Sequence, residues 1–190
     1  MQKRHRVFIA INLPKEIKNF LGHYEQKFSE LPAKWTLEEN LHITLVFLGD
    51  LTDVELGEVC IIAKEVAQRH PVLDINLNSI EYGPDGKIPP KMLWASGEKS
   101  QALMDLKNDL QEALLEKIVN FDPDKKGFAV HVTMARINAT AWRQINPEER
   151  PEVAEEVNLP FTIETIDVME SEMGRSGPKY SIIESIELNS

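Results

Sequence analysis

The sequence holds one cysteine, Cys60, in 190 residues. A disulfide framework and a cysteine-based zinc site are excluded, and a reducing cytoplasm is the expected location. No apolar run approaches the ~18–20 residues that a membrane-spanning helix requires, so no membrane partner is expected. The basic start, Met1-Gln2-Lys3-Arg4-His5-Arg6, is followed only by the short apolar run Val7 to Leu13 and then Pro14, which reads as a first strand rather than a signal peptide. Positive charge is scarce as well. With 21 Lys and Arg against 31 Asp and Glu, the net charge is −10. Such a chain is not expected to hold long nucleic acid by a general basic surface, which works by neutralising many phosphates. A small phosphorylated ligand, or the end of a nucleic acid in a locally basic pocket, stays compatible. There is no P-loop, no G-x-G-x-x-G and no G-x-S-x-G elbow, and Gly174-Arg175-Ser176-Gly177 is one residue short of that last pattern. No cluster of His, Asp and Glu has metal-ligand spacing, so neither metal nor cofactor is expected.

What is present is a soluble-type composition, 42% hydrophobic and 27% charged, without a Pro/Gly/Ser linker or low-complexity tract. Arg6 to Asn12 reads as a strand. Ile17, Phe20, Leu21, Tyr24, Phe28 and Leu31 follow at helical spacing. Asn40 to Gly49 reads as a buried strand, and Thr52 with Glu55 forms a capping box before a helix to about Gln68. Cys60, on that helix, is expected in core packing. Leu73 to Tyr82 alternates as a strand, ending at the turn cluster Gly83-Pro84-Asp85-Gly86. Met92 to Ala95 is a short strand, and Leu103, Leu106, Leu110, Leu114 and Ile118 mark the apolar face of a helix. After the break at Asp122-Pro123-Asp124, Phe128 to Ile137 is a further strand. A short helix is expected before the irregular stretch at Pro147 and Pro151, and Phe161–Met169 and Tyr180–Leu188 are expected as two closing strands.

Strand, helix, then a strand carrying His-x-Thr occurs twice, which points to two similar α+β lobes in one unit spanning 1–190. His42-Ile43-Thr44 and His131-Val132-Thr133 sit in matched contexts. Side chains alternate along a strand, so His42 and Thr44 share one face while Ile43, Leu45 and Phe47 take the other. The same alternation separates His131 and Thr133 from Val130, Val132 and Met134. If the lobes pack face to face about a pseudo-two-fold axis, both His-Thr pairs converge in one cleft. Two imidazoles with ordinary pKa values near ~6.5 suit phosphoester chemistry, one taking a proton from the nucleophile and one giving a proton to the leaving oxygen. Threonine hydroxyls can bind the non-bridging oxygens, and Arg136 can add bidentate phosphate binding. Strict alternation places Arg136 on the face opposite His131, so it must reach round a strand end or bulge. Phe8, opposite Val7 and Ile9 on its strand, is a candidate to stack on a base, with core packing the competing reading. His5, His70 and His23 are expected in solvent, the three tryptophans in packing. Lys125-Lys126 and Arg175 with Lys179 are expected as solvated faces that would attract phosphate if near the cleft.

With these segments in hand, the sequence resembles the 2H phosphoesterases, specifically the RNA 2′,3′-cyclic phosphodiesterases, also called 2′-5′ RNA ligases. The resemblance runs over nearly the whole chain: RVFIAINLP, KWTLEENLHITLVFLGDL, PPKMLWA, FAVHVTMARI and FTIETIDVMESEM…GPKYSII. Val46 stands where a basic residue is frequent, and Ala129-Val130 where Arg-Pro often precedes the second histidine. The resemblance implies an α+β bilobal fold, each lobe an antiparallel sheet with flanking helices, and a cleft between them. It implies metal-independent hydrolysis of a terminal RNA 2′,3′-cyclic phosphate, or a small cyclic nucleotide, to a 2′-phosphomonoester, with 2′-5′ ligation as the reverse reaction. His42 would then be the acid, His131 the base, and Thr44, Thr133 and Arg136 the phosphate ligands. A monomer is expected. Two alternatives share these motifs: a phosphodiesterase for 2′-5′ oligoadenylate-type nucleotides, and a non-catalytic RNA-end or nucleotide-binding module. The paired histidines argue against the second, since Lys or Arg would serve binding alone as well.

Overall fold

A computed structural model describes residues 3–84, 86–118, 121, 123, 127–174 and 177–189. Lys125, Lys126 and Arg175, considered above as phosphate-attracting cations, lie outside the described residues, as do Asp85, Asp122, Asp124 and Ser176 of the expected turns.

The first strand, β1 (His5–Asn12), sends Val7, Ile9 and Ile11 into the core. The single helix expected next is instead two short ones, α1 (Lys15–Gly22) and α2 (Tyr24–Lys27). They part at His23, whose ring Nδ1 bonds the Asn19 carbonyl at 2.6 Å and so competes for a helical acceptor. The break leaves Phe20 exposed, while Ile17, Leu21 and Tyr24 stay buried. A three-residue strand that periodicity did not show, β2 (Ala33–Trp35), leads into β3 (His42–Leu51). Helix α3 (Asp53–Ala67) opens with the expected capping box between Thr52 and Glu55, a device worth about 0.5–2 kcal/mol. Strand β4 (Leu73–Gly83), strand β5 (Met92–Gly97), helix α4 (Gln101–Lys117) and strand β6 (His131–Ile137) follow. Next come the short helix α5 (Ala139–Gln144) and then β7 (Ala154–Ile163), β8 (Thr165–Gly174) and β9 (Gly177–Glu187). The closing region thus holds three strands rather than two. Residues 161–169 straddle Glu164, where the chain leaves one edge strand and starts another.

The described strands form one sheet in the order β7-β4-β5-β6-β3-β1-β8-β9, with β2 also on β6. Its two halves, four strands each on the main path, meet at the β3–β6 pair, registered by Ile43 opposite Val132. The two lobes expected from the sequence correspond to these halves with two differences: they join edge to edge rather than face to face, and β4 belongs to the half that contains β6. The C-terminal pair β8–β9 completes the half that contains the N-terminal strand. Ile43 and Val132 are both wholly buried. Helices α3 and α4 pack together on that side, α4 also touching β3, with Leu103, Leu106, Leu110 and Leu114 in the same core. The opposite face at the junction is left for His42, Thr44, His131 and Thr133.

Two histidines assigned to solvent are held elsewhere. His5 is buried at the start of β1, with Nε2 2.8 Å from Asp53 Oδ1 and Nδ1 2.7 Å from Glu170 Oε1. His70 lies 2.9 Å from Asp109. His23 is exposed, as expected. The hydrogen bonds to Asp53 and then Glu170 raise the His5 pKa above 6.5, outweighing desolvation and the repulsion of Lys3. A raised folded-state pKa means that the contribution is complete below the unfolded value and is lost as pH rises through the folded one. Thermal unfolding followed between pH 6 and 9 should show the wild type losing stability above pH ~6.5, with the loss flattened in His5→Gln. Parallel profiles for the two proteins would contradict this role.

Candidate active site

The site is built on one register. With Ile43 opposite Val132 in an antiparallel pair, His42 falls across from Thr133 and Thr44 across from His131, so four polar side chains occupy one face of the junction. This is the convergence expected from the repeated motif.

The same burial sequence follows both histidines. Residues 42–47 and 131–136 each read half-buried, buried, half-buried, buried, buried, exposed. Both strands carry a bulge in that stretch. In β3, Thr44 pairs with Ala10 and Val46 with Ile9, leaving Leu45 extra; in β6, Thr133 pairs with Trp94 and Ala135 with Leu93, leaving Met134 extra. An extra residue inverts the alternation beyond it. Phe47, expected on the face opposite His42, therefore emerges on the histidine face, 71% exposed and 6.3 Å from Phe8 between ring centroids. Arg136 emerges likewise on the face of His131 and Thr133. Its Nη1 is 3.7 Å from Met92 Sδ, the sulfur that also receives Thr133 Oγ1 at 3.9 Å. The obstacle to Arg136 set by strict alternation is removed by this bulge.

Each ring is oriented by the backbone two residues before it. His42 Nδ1 bonds the Asn40 carbonyl at 2.6 Å, and His131 Nδ1 bonds the Ala129 carbonyl at 2.8 Å. A carbonyl only accepts, so both rings carry their proton on Nδ1 and present a bare Nε2 when neutral. For His42 that Nε2 accepts from Thr44 Oγ1 at 3.0 Å. Asn40 is itself buried and donates to the Pro178 carbonyl at 3.1 Å, tying the site to β9. Lys18, whose Nζ bonds Asn12 Oδ1 at 3.2 Å and the Glu39 carbonyl at 3.0 Å, adds a cation beside His42. Asn12 in turn donates to the buried Asp167 at 2.7 Å.

The aromatic surroundings of the two rings differ. His42 lies 5.1 Å from Phe8 and 5.3 Å from Tyr180, the latter edge-on. Phe8 is only 4% exposed, so it shapes the floor beneath His42, and the ring open to a ligand is Phe47. His131 stacks on Trp94 at 4.1 Å. Trp94 was assigned to general packing; here it packs specifically on this histidine. Gly83 makes room for it, since a Cβ there would come within 2.1 Å of the indole.

Burial is the largest influence on both histidines and lowers both pKa values below 6.5, against the raising effect of the Nδ1–carbonyl bonds. Lys18 and His131 lower His42 further. Among the described residues, no three His, Cys, Asp or Glu side chains converge as a metal set.

Tyr180, Phe47, Asn40, Lys18 and Asn12 were not foreseen. One signal was available: both motifs run on at the same spacing to a large side chain, H-x-T-x-x-Phe47 and H-x-T-x-x-Arg136.

Two half-sheets joined through paired His-x-Thr strands, with both imidazoles on one open face, are what the resemblance to the 2H phosphoesterases implied. Comparison with known proteins agrees. The family described as LigT like Phosphoesterase matches residues 7–94. An RNA 2′,3′-cyclic phosphodiesterase from Geobacillus stearothermophilus is 30% identical over 98% of this chain, which spans 58% of that relative's length. One from Thermotoga maritima is 24% identical over 94% of this chain and 92% of its own. The crystal structure of E. coli LigT complexed with 3′-AMP superposes with a TM-score of 0.79 at 19% identity, covering 99% of this chain and 100% of that one. Residues 7–94 are thus similar to the LigT like Phosphoesterase family, and the whole chain shares the fold of LigT.

Two outcomes are expected from the geometry. Long-range ¹H–¹⁵N spectra at pH 7.5 should show His42 and His131 as neutral Nδ1–H tautomers titrating below 6.5; an Nε2–H tautomer in either ring would contradict the carbonyl bonds. Because these folded-state values are lowered, their contribution to stability is present above the unfolded pKa and lost as pH falls through the folded one. Separately, Gly83→Ala should destabilise by about 1–3 kcal/mol through overpacking against Trp94, measured by urea unfolding. A neutral effect would show that the indole has room to move.

Proposed function

We propose that this chain is a phosphodiesterase that opens terminal RNA 2′,3′-cyclic phosphates, or small 2′,3′-cyclic nucleotides, to 2′-phosphomonoesters by paired-histidine acid–base catalysis without a metal. The observation that carries the reading is the junction itself: two imidazoles on one face, each with an unprotonated Nε2 available and a threonine hydroxyl beside it in the register. The name borne by the relatives, and the 3′-AMP bound by E. coli LigT, support the substrate class.

In this reading His131 Nε2 takes a proton from water as its oxygen attacks phosphorus. The P–O3′ bond breaks, and the 3′ oxygen receives a proton from His42. The 2′ ester stays intact, and the two rings exchange protons with solvent to reset. Thr44 and Thr133 hydrogen-bond the non-bridging oxygens, and Arg136 balances their charge. Both rings begin neutral, so the acid must gain its proton as the substrate arrives. The anionic phosphate favours this by stabilising an adjacent imidazolium. The same ring opening, with a 5′-hydroxyl oxygen attacking phosphorus in place of water and O3′ again leaving, gives a 2′-5′ linkage; abundant water makes hydrolysis the main outcome. The protein acts as one bilobal unit, a monomer in the cytoplasm, with RNA ends as its partners.

One observation favours exchanging the roles. Lys18 opposes charge on His42, whereas the Trp94 face against His131 is a favourable surface for a cation.

His42→Ala and His131→Ala should each lower turnover of 2′,3′-cyclic AMP by about 10²–10⁴-fold with native circular dichroism, and EDTA should leave the wild type unchanged. Wild-type-like turnover in either variant would overturn the mechanism. Aryl phosphodiesters, whose leaving group needs no proton, assign the roles: the variant lacking the acid keeps activity on them, and the variant lacking the base does not.

A further inference from the structure

Lys34 stands directly opposite Arg136 in the β2–β6 pair. Paired residues of an antiparallel ladder project on the same side, so the bulge that turns Arg136 onto the histidine face brings Lys34 with it. Both side chains are exposed, and among the described residues neither forms an ion pair. Lys34 reaches toward the other half of the molecule: its Nζ lies 3.1 Å from where a Cβ on Gly177, at the start of β9, would sit. A cavity of about 520 Å³ opens beside this pair, lined by Lys34, Arg136, Asn138 and Pro32 among others.

Two unpaired cations side by side are costly unless an anion shares them, and they are the more conspicuous on a chain of net charge −10. Arg136 borders the reacting centre, and Lys34 stands beside it on the neighbouring strand. Along β6, Arg136 is three residues beyond Thr133, roughly 7–10 Å at strand rise, and Lys34 is one strand further out. Lys34 thus stands outside the His-Thr quartet, across the β2–β6 ladder from Arg136. Such a displacement is expected of the next phosphodiester in an extended single strand.

We propose that Lys34, on the open side of Arg136, binds the phosphodiester one nucleotide upstream of the cyclic end, so that the site selects oligonucleotide ends over mononucleotides. The proposal rests on the cyclic phosphodiesterase reading above and adds an RNA-chain subsite to it. The β2–β6 ladder fixes the strand that carries this cation, and Gly177, lacking a Cβ, leaves room for the ammonium beside β9, so the RNA strand leaves the cleft across β2 toward the cavity.

The experiment compares a cyclic-phosphate-ended RNA trimer with 2′,3′-cyclic AMP, for the wild type, Lys34→Ala and Lys34→Arg, at several salt concentrations. For the trimer, Lys34→Ala should reduce kcat/KM about tenfold and flatten the slope of log kcat/KM against log salt by about 0.7, the share of one single-strand phosphate contact. Lys34→Arg should restore both, and 2′,3′-cyclic AMP should be turned over alike by all three proteins. An equal loss on both substrates would overturn the subsite, since it would place Lys34 at the reacting phosphate or in the fold. So would no change on either. If the wild type turns over neither substrate, the cyclic phosphodiesterase reading falls, and the subsite with it.

Discussion

Everything about the site depends on the pairing of Ile43 with Val132. Among the described residues it is the one registered pair between β3 and β6, where the two halves of the sheet meet, and both residues are wholly buried against the helical side. Burial on one face makes the register expensive to change: a slip of one residue would send an imidazole into the core and an aliphatic side chain into the cleft. The apolar residue inside each His-x-Thr motif therefore acts as the alignment pin for the polar residues on either side of it. The geometry of the candidate site follows from the hydrophobic packing of the residue next in sequence.

Electrostatics builds on that alignment. Carbonyls two residues upstream fix both rings in the same tautomer, and burial keeps both below their ordinary pKa. The resting site is thus uncharged at its centre, with cations arranged around it: Lys18 near His42, and Arg136 with Lys34 along β6 and β2. The net charge of the protein is −10, so these cations stand against an acidic background. Such a distribution suits recognition of an end, which needs few contacts, rather than tracking along a polymer, which needs many.

Much of this was legible in the residues. The repeated motif, the alternation that splits polar from apolar faces, and the capping box at Thr52 all operate over a few neighbouring positions, where sequence pattern and structure are tightly coupled. What escaped was non-local. The bulges at Leu45 and Met134 arise from mismatched pairing with β1 and β5, which a single strand does not display, so Phe47 was read on the wrong face and Arg136 needed a special path. The same holds for His5, whose partners Asp53 and Glu170 come from distant segments. The division of residues 161–169 at Glu164 likewise reflects two strands that belong to opposite halves of the sheet. Trp94 was recognised as a packing residue, but that its partner is His131 depends on the β5–β6 register.

The central claim is that the two imidazoles act across one phosphorus, opening the ring on the 3′ side. The most direct measurement is ³¹P NMR of the product formed from an RNA bearing a terminal 2′,3′-cyclic phosphate. The account predicts the 2′-phosphomonoester alone. A 3′-phosphomonoester, or a mixture of the two, would contradict the in-line arrangement of base, phosphorus and acid assigned to His131 and His42.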